Sequence, residues 1–126
     1  MRNRDRSVTD GELGVLEVLW SRGRATVKDI TAVVYEDQSF SKYQSVQKLL
    51  ERLERKGCVA RDRSAAAHTF EPTVERDEII GHRLEQVAAK LCGGSLTPLL
   101  MHLVGRTRLT ASQREALQKL IHSHKR

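Results

Sequence analysis

The stretch SKYQSVQKLLERLERKGCVARDR, residues 41–63, gathers side chains suited to hydrogen bonding with a charged, flat partner. Gln44 and Gln47 carry amides that can pair bidentately with an adenine edge, and Lys48 can reach guanine or a phosphate. Ser45 can bond either kind of base, and Tyr43 suits a phosphate or a thymine methyl group. Lys42 and Arg52 would stand nearer the sugar-phosphate backbone. Beyond Gly57, Arg61 and Arg63 are two residues apart, so on a strand both point to one face, where they suit flanking phosphates or a minor groove.

The elements needed to hold those groups are legible around them. Thr9 and Glu12 have capping-box spacing before an amphipathic helix over about residues 10–21, with Leu13, Leu16, Leu19 and Trp20 at helical intervals. SRGRA breaks it, and Ala25 is placed to give a very short strand. A second short helix starts at Thr26 and runs through TVKDITAVVYE, with Val27, Ile30, Val33 and Val34 apolar; DQSFS is a loop. A third helix is expected from Lys42 to Lys56, where Val46, Leu49, Leu50 and Leu53 make one stripe and Gly57 is the stop. Its opposite face holds Tyr43, Gln44, Ser45, Gln47, Lys48, Glu51 and Arg52, with Glu51 placed to pair with Arg55. CVARDR, a turn at SAAA and HTFEP then read as two strands with a tight connection.

From Thr73 the character is helical throughout. Ile79, Ile80, Leu84, Val87 and Leu91 line a fourth helix ended by Gly93 and Gly94. Ser95 is placed to cap a fifth, carrying Leu99, Leu100 and Leu103, and Thr110 opens a sixth that runs to Lys125, with Leu117, Leu120 and Ile121. So much apolar helix surface exceeds what a small N-terminal domain can cover, and these residues are expected to bury it across a two-fold axis in a homodimer. The expected fold class is therefore mainly α. A winged helix-turn-helix with a small β wing occupies residues 1–73 as a DNA-binding domain, and a C-terminal helical dimerisation region occupies residues 74–126.

Composition agrees with such a partner. The net charge of +6 and the excess of Lys and Arg suit a polyanion. Seven of those cations (Lys42, Lys48, Arg52, Arg55, Lys56, Arg61, Arg63) fall within residues 40–63, against Glu51, Glu54 and Asp62. Aromatic residues make up only 4%, so the core must come from Leu, Val, Ile and Ala. No apolar run approaches the ~20 residues of a bilayer span, and the charged start MRNRDRSVTD lacks the apolar segment of a secretion signal, so a cytoplasmic protein without membrane insertion is expected. Cys58 and Cys92 belong to no metal or redox motif and read as small apolar residues. His122 and His124, two apart, make a poor metal site; His68 and His82 read as surface or interface residues, and His102 as a residue of the dimer core or of a cleavage region. No catalytic constellation stands out, and CGGS lacks the Lys-Ser/Thr of a phosphate loop, so neither an enzyme, a metal nor a cofactor is implied.

Taken together, TDGELGVLEVLW, ATVKDI, YQSVQKLLERLERKGCVARDR, CGGSLTPLLMHLV and LTASQREALQKLI resemble the penicillinase-repressor (BlaI/MecI/CopY) family from residue 7 to about 122. The resemblance implies a dimeric winged-helix repressor on a palindromic operator. It further implies relief of repression by proteolysis set off by a membrane-anchored sensor metalloprotease. In the best-known members the cut is at an Asn-Phe bond, a position held here by His102 and Leu103, which calls for a protease of different preference. The copper-responsive branch ends in Cys-x-Cys motifs, whereas this chain ends LIHSHKR. Two other readings stay open: a winged-helix adaptor that binds protein rather than DNA, and a ligand-sensing repressor with a pocket between the wing domain and the dimer helices.

Overall fold

A computed structural model describes residues 5–37 and 39–124. The parts of the sequence reading that fall on residues 1–4, and on Lys125 as the end of the last helix, lie outside the described residues. The elements follow in the order α1 (Asp10–Arg22), β1 (Ala25–Thr26), α2 (Val27–Val34), α3 (Phe40–Arg55), β2 (Val59–Asp62), β3 (Thr69–Pro72), α4 (Arg76–Leu91), α5 (Thr97–Arg106) and α6 (Ala111–Ser123). The chain divides into two compact units between Leu84 and Glu85, inside α4.

In the first unit, each helix start has a local cause. Thr9 accepts from the Glu12 N–H while the Glu12 carboxylate accepts from the Thr9 N–H, closing the expected capping box on α1. Thr26 and Asp29 do the same for α2. Ser39 caps α3 by accepting from Lys42 N–H at 3.3 Å, so α3 begins at Phe40, two residues before the sequence reading placed it. At the far end Gly57 takes φ 79°, its N–H donates to Glu54 O and the Cys58 N–H donates to Leu53 O. That is a Schellman stop, sealed by buried Leu53 and Cys58.

The core joins Val15, Leu16 and Leu19 of α1, Val27 and Ile30 of α2, and Val46, Leu50 and Leu53 of α3. In α2 the last buried place goes to Thr31, whose hydroxyl donates to Val27 O at 2.7 Å, while Val33 and Val34 are exposed rather than buried. A satisfied hydroxyl is tolerated inside, and the helix ends before the two valines reach the core. The sheet is antiparallel in the order β1-β3-β2, with Phe70 facing Ala25 on one side and Arg61 on the other. The expected strand at Ala25 is thus a sheet member. Residues 63–68 connect β2 to β3 in a longer loop than the tight turn expected, begun by Asp62 accepting from the Ser64 N–H at 2.9 Å.

The first half of α4 belongs to this unit. Ile79, expected at a dimer interface, is instead buried in the N-terminal core, because the chain returning from β3 lays that side of α4 on it. Arg83 fixes the same segment by donating to Val8 O at 3.0 Å and pairing with Asp10 at 3.2 Å. Trp20 donates its indole N–H to Val74 O at 2.8 Å, with the Arg76 guanidinium 4.8 Å over its ring.

In the second unit α4 ends at Gly93 and Gly94, both at positive φ, where the Gly94 N–H donates to Ala88 O. Ser95 Oγ accepts from the Thr97 N–H at 3.3 Å ahead of α5, which starts one residue later than a Ser95 cap would place it, with Leu96 at the N-cap, and Thr110 with Gln113 forms the capping box of α6. Neither α5 nor α6 contains a buried residue. Leu100, Leu103, Leu120 and Ile121 are exposed, as are Ile80, Leu84, Val87 and Leu91 along α4, while Leu99 and Leu117 are half-buried.

Candidate nucleic-acid interface

Helix α3 has two unlike sides. Val46, Leu50 and Leu53 fill the core, and Gln44, Gln47 and Lys48 are exposed on the other side. The core stripe fixes the helix about its own axis, so these three polar groups are aimed by packing rather than by their own contacts. Ser45 is half-buried and its hydroxyl donates to Ser41 O at 3.1 Å, which leaves it free to accept. Tyr43 is also half-buried, leans on the core and stacks with Phe40 at 6.4 Å between ring centres. The Lys42 ammonium lies 5.0 Å over the Tyr35 ring.

A crevice brings several of these groups together. Its walls are Thr26, Val27 and Lys28 at the start of α2, Tyr43 and Gln47 of α3, and Arg61, Phe70 and residues 66–68 of the wing. Tyr43, Gln47 and Arg61 therefore meet at one concavity, although Arg61 lies 14 residues beyond Gln47. His68, read as a surface or interface residue, lines it as well, and so does Lys28, which was not singled out from sequence. A cation in the first turn of α2 was the available signal, and only the fold shows that this turn faces α3. The surface offers amides, hydroxyls and cations to an acidic partner bearing hydrogen-bonding edges.

Three of the expected cations are already engaged. Arg61 keeps only 17% of its side chain exposed, pairs with Glu54 at 3.1 Å and holds its guanidinium 4.8 Å over the Phe70 ring. It is a packed residue of the wing first. Arg63 is 61% exposed and reaches the same Glu54 carboxylate at 3.7 Å, so the two arginines do share a face. Arg52 Nε donates to Glu12 Oε2 at 3.0 Å. Among the described residues no ion pair within 4.0 Å joins Glu51 to Arg55, and Glu51 stays exposed on the polar side of α3.

Glu12 is the polar residue that sequence reasoning valued too little. Its side chain is 0% exposed and accepts from Lys56 Nζ at 2.6 Å, Arg52 Nε at 3.0 Å and the Thr9 N–H at 3.0 Å. Burial pushes its carboxyl up, but the hydrogen bonds from Lys56, Thr9 and Arg52 outweigh it and hold the group below its ordinary value. The signal was its position: Glu12 lies one turn before Leu16 and two before Leu19, on the buried stripe of α1. Elsewhere, Cys58 is buried with its thiol donating to Asp5 O at 3.2 Å, Cys92 is half-buried, and neither is in a disulfide. No three His, Cys, Asp or Glu side chains come together as a metal site among the described residues. Nor is any described helix long and apolar enough to cross a membrane.

Three helices, a three-stranded sheet whose β2–β3 hairpin stands beside α3, and an exposed polar side on that helix define a winged helix-turn-helix protein. The chain belongs to the penicillinase repressor family, whose model matches residues 8–123. It is 30% identical over 114 residues to the transcriptional regulator BlaI of Mycobacterium tuberculosis, covering 89% of this chain and 80% of that one. It is 18% identical over 118 residues to the penicillinase repressor of Bacillus licheniformis, covering 94% and 91% respectively. In fold it resembles the solution structure of the DNA binding domain of the repressor BlaI, with a TM-score of 0.52 at 18% identity, over 61% of this chain and 93% of that domain.

Proposed function

We propose that this protein is a transcriptional repressor that binds a palindromic DNA operator as a homodimer. The observation that carries the reading is the two-sided α3: with Val46, Leu50 and Leu53 in the core, Gln44, Gln47 and Lys48 stand exposed, and Gln47 shares the wall of a crevice with Lys28 and the wing. A major groove admits an α-helix, and amides in its first turns reach base edges. Gln44, Gln47 and Lys48 read bases, with Ser45 accepting from them. Tyr43, Lys42, Lys28 and Arg63 hold phosphates. Arg61 and Arg52 shape the surface through Glu54 and Glu12 more than they contact the duplex.

Residues 1–73 then serve DNA binding and residues 74–126 dimerisation, with α4 entering both structural units. What supports self-association is that α5 and α6 bury none of their residues within one chain. Leu100, Leu103, Leu120 and Ile121 would be covered by a second copy. Val87 and Leu91 of α4, in the same unit, are exposed too, as are Ile80 and Leu84 of the first unit, and each is a further candidate for cover by a second copy. Relief of repression by a sensor metalloprotease would cut between His102 and Leu103, both exposed in α5, within the cytoplasm.

The test is recovery of fragments bound by the purified full chain from sheared genomic DNA. A shared palindrome bound by two chains is expected. Fragments without a common sequence, or retention of proteins alone, would favour an adaptor instead.

A further inference from the structure

Phe40 is the first residue of α3 and is 73% exposed, an unusual place for a large apolar ring. It stands four residues before Gln44 and seven before Gln47, so the three lie along one line of the helix. The ring is not loose: it stacks on Tyr43 with an interplanar angle of 10°, and Tyr43 is anchored against the core. Phe40, Tyr43, Lys28 and Thr31 line a shallow apolar hollow with an ammonium at its edge, and Lys42 lies on the next position around the helix from Tyr43. An apolar spot edged by Lys28 suits a small methyl group beside a phosphate better than a broad apolar protein face. In a duplex one such group faces the major groove, the C5-methyl of thymine.

Resting on the proposed reading of DNA by α3, we infer that Phe40 is a specificity-determining residue that contacts a thymine methyl at the edge of each half-site. Gln44 and Gln47 read hydrogen-bonding edges, and Phe40 reads the apolar one beside them.

The test uses the full chain and a duplex selected by it, with each thymine replaced singly by deoxyuridine, which removes only the methyl group. At one thymine per half-site the wild-type chain should lose about fourfold in affinity, the worth of one buried methyl group. Phe40→Ala should bind the thymine duplex several-fold less tightly and be indifferent to deoxyuridine at that position. Its thermal melting should match wild type, since the ring is exposed. Uniform wild-type affinity across all deoxyuridine duplexes would overturn the inference while leaving base reading by Gln44 and Gln47 intact. So would losses from Phe40→Ala and deoxyuridine that multiply. Failure to select any duplex would instead remove the reading on which the inference rests.

Discussion

Glu12 Oε1 lies 2.6 Å from Lys56 Nζ, so a buried carboxylate in the first turn of α1 holds the last turn of α3. The second oxygen takes Arg52 at 3.0 Å, and Lys56 also donates to Ser7 O at 2.9 Å. The end of α3 is thereby tied to the chain entering α1, while its Leu stripe fixes its rotation.

Removing that carboxylate leaves two cations facing a buried void of charge. Glu12→Gln is expected to destabilise the protein by about 2 kcal/mol at pH 7 in denaturant titrations, less than a fully buried pair because Arg52 is half exposed. The pH dependence has a definite sign. The Glu12 carboxyl is held below its ordinary value in the fold, so its stabilisation is complete above about pH 4.3, the unfolded-chain value. It fades as pH falls through the lower folded-state value. The gap between wild type and Glu12→Gln should therefore narrow markedly from pH 7 to pH 3, and a constant gap would mean that ionisation is not what matters.

Arg61 and Arg63 should behave differently despite sharing Glu54. Arg61→Ala is expected to lower stability by roughly 1 kcal/mol, through lost packing on Phe70 and a lost ion pair. Arg63→Ala should leave melting unchanged and weaken binding to operator and scrambled duplexes alike. Thermal melts beside polarisation titrations separate the two.

Lys28 and Gln47 face one crevice with different chemistry. Lys28→Ala should weaken binding to every duplex and reduce the salt slope by about 1, the share of one phosphate contact. Gln47→Ala should cost about 1–3 kcal/mol on the preferred sequence and little on others. Equal losses for Gln47→Ala on both duplexes would sink its base-reading role.

Charged substitutions on the uncovered helices test self-association. Leu103→Glu and Leu120→Glu alter exposed positions, so each chain should keep its helical circular dichroism. Light scattering should nevertheless give half the wild-type mass, and affinity for the palindrome should drop. Persistence of the wild-type mass in both variants would place the interface elsewhere.

Periodicity and punctuation make most of the helices legible in the sequence. The Thr9, Thr26 and Thr110 caps, the Gly57 stop and the Val46–Leu50–Leu53 stripe depend on neighbours a few residues away. Local chemistry dictates them. What escaped were pairings over long separations. Arg52 and Lys56 reach Glu12 across 40 and 44 residues, and Arg61 lies under Phe70 only once β2 and β3 pair. Ile79 has the same apolar character as its neighbour Ile80, and which unit covers it depends on how α4 follows β3. Phe40 reads as part of the DQSFS loop, whereas Ser39 caps α3 without a capping-box partner three residues on and Phe40 opens the helix.

Base reading by α3 is tested most directly by titrating the full chain against a selected palindromic duplex and a scrambled duplex of equal length, over a series of salt concentrations. The expected result is two chains per palindrome, tighter binding to it by at least about 1,000-fold, and affinity that falls steeply with salt on both. Equal affinity for the two duplexes, with a shallow salt dependence, would contradict it.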